Sequence, residues 1–424
     1  MSDDSRQDIP ADRDGHAPGF NRCADPAASL PGTATSMTAD GFATEASPLP
    51  VLAERASALL ATLPRYTPGM RPVTDWDGAG PVVRLASNEM AFEPLPGVLE
   101  ALQSPEAIIR YPDNTATAVR ERIAQHLGVD KPWVTVGNGS VGIVRQMVDL
   151  VVGDGDEILM GAPSFDAYAS VAHIAGARTV RVPLSVASLD LGAMLRKVGD
   201  RTRIVFVCTP NNPTGGVVTH KALTQFLKAL PDHVLAVIDE AYFEFVDDPE
   251  AADGVRFARE YENVICLRTF SKAYGLAGLR LGYCVAHPSL IEALLAVQPA
   301  FAVNAVAQRA AAVSLDQNEH MADRVTAVRA ERARLREQLV DLGIPVPPSQ
   351  GNFLWLPVGT LVATLVSELA TAGILVRAYG DVGVRVTIGT PEENDLFLAV
   401  LTRLIDRRRA HGAPEITLET EHRA

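Results

Sequence analysis

The chain has 424 residues, 47% of them hydrophobic and 21% charged, which is enough apolar material for one large domain and a smaller one. A net charge of −13 gains nothing from phosphate counterion release, so nucleic acid is excluded as a general partner, while a small anion can still bind at a local basic site. The four cysteines (Cys23, Cys208, Cys266 and Cys284) form no CxxC pair and no histidine cluster has ligand spacing, so a reduced, cytoplasmic protein without a metal is expected.

Residues 1–48 are rich in Asp, Ala, Pro, Gly, Ser and Thr without helical or strand period, and are expected to form a disordered tail. The opening "MSDDSRQDIPADRDG" lacks the apolar run of a signal peptide, and no stretch is apolar enough to span a bilayer. Helical spacing begins in "SPLPVLAERASALLATL", with Ser47 or Pro48 at the start. From 95 to 310 strands and helices alternate. "WVTVGNGS", "EILMGA", "ARTVRVPL", "RIVFVCTPNNPTG", "VLAVIDEAY", "VICLRTFS" and "LRLGYCVA" read as strands. "VGIVRQMVDLVV", "FDAYASVAHIAG" and "HKALTQFLKALP" read as helices. Near-continuous Val/Ile/Leu runs suit strands covered on both faces, so the expectation is an α/β fold with a mostly parallel, doubly wound sheet of seven strands. After 310 a long charged helix, "MADRVTAVRAERARLREQLVDLG", precedes the short strands "FLWLP", "ILVRAYG" and "GVRVTIG". A smaller α+β domain is expected from 311–410 together with an N-terminal arm over 49–94, and 411–424 is a C-terminal tail. No internal repeat is evident.

In such a sheet, chemistry gathers at the carboxyl ends of the strands. "GNGSVG" ends a strand and opens a helix, either as an anion cradle or as an ordinary tight turn. "TPNNPTGG" puts two asparagines at a strand end, as turn formers or as ligand donors. In "VIDEAY", Asp239 follows five apolar residues, and a buried carboxylate there requires a partner. A Walker B role would need G-x-x-x-x-G-K-[ST], which the chain lacks, so a P-loop ATPase is excluded; a cationic ring nitrogen and a structural ion pair remain. "RTFSKAYGLAGLRLGY" places Lys272 between Ser271 and a glycine-rich turn, with Arg280 eight residues on. Ser271, Lys272 and Arg280 could hold a phosphate, or Lys272 could form a Schiff base, which needs a neutral amine. A phosphate site, a buried acid, an amide and an amine together describe pyridoxal 5′-phosphate (PLP).

With these motifs in order, joined by "LPRYTPG", "LASNE", "RYPDNTATAVRERIAQHLGV", "PSFDAY", "NF" and "VRVTIGTPEEN", the sequence resembles the fold-type I PLP-dependent aminotransferases of class I/II over roughly residues 55–405. Within them it is similar to the histidinol-phosphate aminotransferase branch. It most resembles the actinobacterial aromatic amino acid (phenylalanine) aminotransferases, through "GSV", "RTFSKAYGLAGLR" and "PPSQGNFLWLP". The resemblance implies PLP as cofactor, an amino acid and a 2-oxo acid as substrates, and a homodimer with shared active sites. It implies Lys272 as Schiff-base lysine and general acid/base, Asp239 on the pyridine nitrogen, Asn212 and Tyr242 on the ring 3-oxygen, and Phe165 stacked on the ring. Ser140, Ser271, Arg280 and the amides of Gly139–Val141 would hold the phosphate, with Tyr111 reaching the neighbouring subunit's phosphate. Arg385 would clamp the substrate carboxylate, and Asn88, Tyr66 and Arg377 would line the substrate pocket.

Three positions differ from the usual pattern of the branch. Phe165 stands where Tyr is frequent, and either ring offers a flat face. Val141 and Gly142 replace an acidic pair after "GNGS", which argues against histidinol phosphate and leaves backbone amides unaffected. Arg377 and Arg385 can grip a phosphate or a carboxylate, so they leave both substrate classes open, as well as a specialised-metabolite amine or amino acid. A ligand-sensing regulator on this fold would need a DNA-binding module, and the first 48 residues contain no helix-turn-helix pattern.

Overall fold

The structure, a computed structural model, describes residues 82–103 and 105–411 together with Ala61. The expected tail over 1–48, the helix start at Ser47 or Pro48, Tyr66 and the chain beyond 411 lie outside the described residues.

The described chain opens with a two-residue strand, β1 (Val83–Arg84). It then builds a seven-stranded sheet from β2 (Val134–Asn138), β3 (Glu157–Ala162), β4 (Arg178–Pro183), β5 (Thr202–Cys208), β6 (Leu235–Asp239), β7 (Val264–Thr269) and β8 (Leu281–Ala286). The spatial order is β2-β8-β7-β6-β5-β3-β4. β3 to β7 pair in parallel, whereas β8 is antiparallel to both β7 and β2. The cause is local. Only the short segment Phe270–Arg280 joins β7 to β8, too little chain for a crossover helix, so the strand must turn back. That segment carries Lys272.

β6, β7 and β8 are buried along their whole length, as expected of strands covered on both faces. Alternate residues feed two cores. Val237 and Ile265 join Ile143, Met147, Tyr168 and Leu294 on one face. Ala236, Ile238 and Val264 join Ile123, Phe226 and Phe257 on the other.

A separate core forms around β9 (Phe353–Leu356), β10 (Ile374–Leu375), β11 (Arg377–Tyr379) and β12 (Gly383–Thr387). It is covered by the helices Asn318–Asp341, Val362–Thr371 and Pro391–Ala410, the last opened by a Thr390–Glu393 capping box. "ILVRAYG", read from the sequence as one strand, is two. β10 pairs in parallel with β1, whereas β11 pairs antiparallel with β12, and Val376 makes the break. The break directs Arg377 into the sheet that carries Arg385. No helix among the described residues is long and apolar enough to cross a membrane.

Candidate active site

β6 ends on Asp239 and a second acid, Glu240, follows it, and side-chain alternation sends the two to opposite faces. Glu240 finds an internal cation: Arg268 Nη2 lies 2.8 Å from its Oε2. Asp239 is 4% exposed and pairs with no cationic side chain among the described residues. Its Oδ2 accepts a hydrogen bond from the Tyr168 hydroxyl, and its Oδ1 one from the Ala241 amide at 3.2 Å. Burial pushes its pKa up to about 6, and the neighbouring Glu240 charge adds to the rise that the two donors oppose. The structural ion pair thus belongs to Glu240. Asp239 is a buried carboxylate still owed a cation, and such a group is costly unless a ligand supplies one.

Lys272 is half-buried in the β7–β8 connection. Its Nζ donates to the carbonyls of Ser87 (3.0 Å) and Asn88 (3.1 Å). Burial lowers its pKa to about 7, helped by the charges of Arg385 and Arg280 and opposed by Glu89. An amine that titrates near pH 7 is neutral in a large share of molecules there and is a competent nucleophile and base.

Gly139 opens the helix Gly139–Val151 at the end of β2, and its N-cap Asn138 makes no side-chain cap. Beyond the Gly139 N–H, which the Arg280 carbonyl accepts, the first-turn amides have neither an intrahelical nor a side-chain capping partner. Two glycines let Arg280 and the helix backbone approach closely. A Cβ on Gly139 would stand 2.4 Å from Arg280 Nη2, and one on Gly282 would stand 2.4 Å from the Ser140 amide nitrogen. Arg280 adopts φ 57°, accepts the Gly139 N–H at its carbonyl (3.0 Å), and places Nη1 3.5 Å from Ser271 Oγ. Hydroxyl, guanidinium and helix N-terminus converge on one anion site.

Asn88 connects the two cores. Its Nδ2 donates to the Tyr242 hydroxyl (2.9 Å), its Oδ1 accepts from Thr387 Oγ1 (3.0 Å), and its carbonyl receives Lys272 Nζ. Burial pushes the Tyr242 phenol up, against the pull of Arg385's charge. Asn212 Oδ1 accepts from Tyr379 (3.2 Å) and from Arg385 Nη1, while the neighbouring Asn211 bonds Ser164, Pro163 and Thr214 inside the loop. Of the sequence's two asparagines, Asn212 faces the site and Asn211 builds the turn.

Arg385 is 6% exposed, has no acidic partner among the described residues, and leaves Nε without any hydrogen bond. Arg377 stands directly opposite it in the β11–β12 ladder. Arg377 is ion-paired with Asp166 (3.0 Å) beside a cavity of about 530 Å3 lined by Phe165, Ala169, Val376, Tyr379 and Val382.

The structure thus brings together Lys272, Asn88, Tyr242, Asn212 and Arg385 through direct or shared contacts, and places Gly139, Ser140, Val141, Ser271 and Arg280 at the strand ends beside them. Asp239 and Phe165 join through Tyr168, whose ring meets Phe165 edge-on at 5.3 Å. Tyr111 is not part of this cluster: it is 82% exposed and stacks on Phe301. Sequence reasoning missed Tyr168, Asp166 and Tyr379. Tyr168 and Asp166 both lie in the "PSFDAY" motif, where an acid and a second aromatic beside Phe165 were the available signal.

PLP offers a phosphate, a protonatable ring nitrogen, a phenolic oxygen and an aldehyde. The uncapped helix with Ser271 and Arg280 fits the first, uncompensated Asp239 the second, Asn212 and Tyr242 the third, and Lys272 the fourth. The close approach that Gly139 and Gly282 allow sets Arg280 and the Ser140 amide side by side, where one anion can meet both.

A family model described as aminotransferase class I and II matches residues 80–401. The aromatic amino acid aminotransferase of Mycobacterium tuberculosis is 46% identical over 347 residues, covering 81% of this chain and 96% of that protein. That of Rhodococcus jostii is 46% identical over 361 residues, covering 85% and 98%. The histidinol-phosphate aminotransferase of Sinorhizobium meliloti, solved in complex with PLP, superposes with a TM-score of 0.76 at 28% identity, covering 82% of this chain and 97% of that one. The chain belongs to the class I and II aminotransferases and is a PLP-dependent transaminase.

Proposed function

We propose that the enzyme moves an amino group between phenylalanine or tyrosine and 2-oxoglutarate, in the cytoplasm, as a homodimer. The observation that carries the reading is Arg385, a buried guanidinium with an unsatisfied Nε and no acidic partner among the described residues. It suits a bidentate grip on an α-carboxylate. The adjacent cavity, walled by Phe165, Ala169, Val376, Tyr379 and Val382, suits an aromatic side chain. The names of the Mycobacterium and Rhodococcus relatives support the same substrate class.

When bound, PLP supplies an electron sink for the charge left by the departing α-proton. Lys272 would take that proton at Nζ and return it in the 1,3-shift that transamination requires. Asp239 keeps a proton on the ring nitrogen, and Asn212 and Tyr242 hold the ring 3-oxygen. Phe165 fixes the ring plane, and Ser140, Val141, Ser271 and Arg280 anchor the phosphate. Asn88 holds Tyr242 in place, while Tyr66 and Arg377 complete the substrate pocket. Residues 95–310 act as the cofactor-binding domain, and 49–94 with 311–410 as the smaller domain; the separate core around β9, β11 and β12 supports this division. Tyr111 serves the partner subunit's phosphate, in keeping with its exposure.

Histidinol phosphate is the second reading, favoured by the Sinorhizobium neighbour and the retained Arg377. Holoenzyme mixed separately with phenylalanine, tyrosine, histidinol phosphate, glutamate and arginine separates them through the loss of the cofactor's visible absorbance. Fast bleaching by phenylalanine, tyrosine and glutamate is expected. A hundredfold preference for histidinol phosphate would replace the aromatic reading.

A further inference from the structure

Arg377 and Arg385 stand directly opposite each other across β11 and β12, where like charges repel unless each finds an anion. Arg385 awaits one. Arg377 takes one from its own chain, with Asp166 Oδ2 3.0 Å from Nη2. Asp166 follows Phe165 at the start of the helix Ala167–Ile174, on the rim of the 530 Å3 cavity, whose charged lining residues are Asp166, Arg181 and Arg377. The two partners differ in freedom. The Arg377 side chain is 10% exposed and the Asp166 side chain 43%. The arginine is fixed, while the acid can swing into water.

We propose that Asp166 is a specificity-determining residue: its carboxylate occupies Arg377 in place of a substrate's side-chain carboxylate. With the pair closed, the Arg377 side of the cavity presents a neutralised surface to an aromatic ring, and Arg181 is the remaining charge of the lining. A dicarboxylate enters by displacing Asp166 and taking its place on Arg377. One site thereby serves an uncharged and an anionic side chain without moving the arginine. The inference rests on the reading that the enzyme alternates an aromatic amino acid with 2-oxoglutarate. A half-exposed ion pair is weak, so displacement costs a dicarboxylate only a few-fold in affinity.

The test measures binding to holoenzyme by calorimetry, with glutarate as the dicarboxylate and 3-phenylpropanoate as the aromatic monocarboxylate. Asp166→Asn should tighten glutarate by roughly three- to tenfold and leave 3-phenylpropanoate within about twofold. The gain should vanish in an Arg377→Leu background, since the cycle isolates the contact. Asp166→Glu should restore the wild-type ratio. Equal tightening of both ligands, no change for glutarate, or a gain that survives Arg377→Leu would overturn the proposal. A wild-type enzyme inert towards phenylalanine would sink the aromatic reading instead, and the glutarate measurement would still decide the role of Asp166.

Discussion

Asp239 and Glu240 are neighbours in sequence with opposite fates. Glu240 has Arg268, whereas Asp239 has only Tyr168 and an amide. Asp239→Asn should leave the fold intact and lower kcat/KM at least about a thousandfold, roughly 4 kcal/mol, because an amide cannot hold the ring nitrogen's proton. A variant within tenfold of wild type would make Asp239 merely structural. Tyr168→Phe removes one of the two donors that oppose the burial-driven rise of Asp239 to about 6. Its carboxyl should titrate about one unit higher, visible as a shifted pH dependence of the holoenzyme's absorbance. Lys272 has the reverse sign. Its amine is lowered from 10.5 to about 7, so the folded, cofactor-free protein binds that proton less tightly than the unfolded chain does. The burial penalty is complete below about pH 7 and fades as pH rises towards 10.5, so the cofactor-free protein should gain stability across that window. The gap in melting temperature between wild type and Lys272→Met should be largest and constant below pH 7 and close as pH rises towards 10.5. Asp239 was legible as an acid following five apolar residues, and Lys272 as an amine set between Ser271 and a glycine-rich turn. Tyr168 was not, because its partner lies 71 positions away and only the sheet order brings the two together.

The elements show why the β7–β8 connection is rich in glycine. It must reverse the chain, present Lys272 and bring Arg280 against the helix start at Gly139. At Gly282 a methyl group would press on the backbone nitrogen of Ser140, which cannot yield as a flexible side chain can. Gly282→Ala should weaken PLP retention by about 10- to 100-fold, measured by titrating cofactor-free protein with PLP. Gly278 has nothing within 4 Å of its would-be Cβ, so Gly278→Ala should bind PLP like wild type. Equal effects at both glycines would mean that the loop's flexibility matters rather than the cradle. The central strands of the large sheet were readable because burial on both faces writes continuous Val/Ile/Leu runs, whereas the edge strand β4 is largely exposed and was readable from its β-branched residues. "ILVRAYG" misled because a run of apolar residues does not disclose a change of partner strand. The opposition of Arg377 and Arg385 depends on the register of β11 with β12, which eight residues of spacing do not determine.

At the scale of the whole molecule, Tyr111 does not belong with the site residues of its own chain. Ile108, Ile109 and Tyr111 are exposed in one short stretch, and the Tyr111 ring stacks on Phe301 at 4.5 Å. Such an apolar surface beside a residue expected to touch a phosphate suits an interface that lends Tyr111 to a second copy. Tyr111→Phe alone should release PLP faster, and Lys272→Ala alone should bind PLP without turning over. Mixed and allowed to exchange subunits at limiting PLP, the two variants should regain activity. In a mixed dimer one site carries both lesions and the other carries neither, so about half the dimers should hold one intact site when the variants are equimolar. Native mass spectrometry would confirm the exchange. Mixed dimers that form without any return of activity would show that Tyr111 serves its own chain's site, and the shared-site arrangement would fall while the assignments of Lys272 and Asp239 stood.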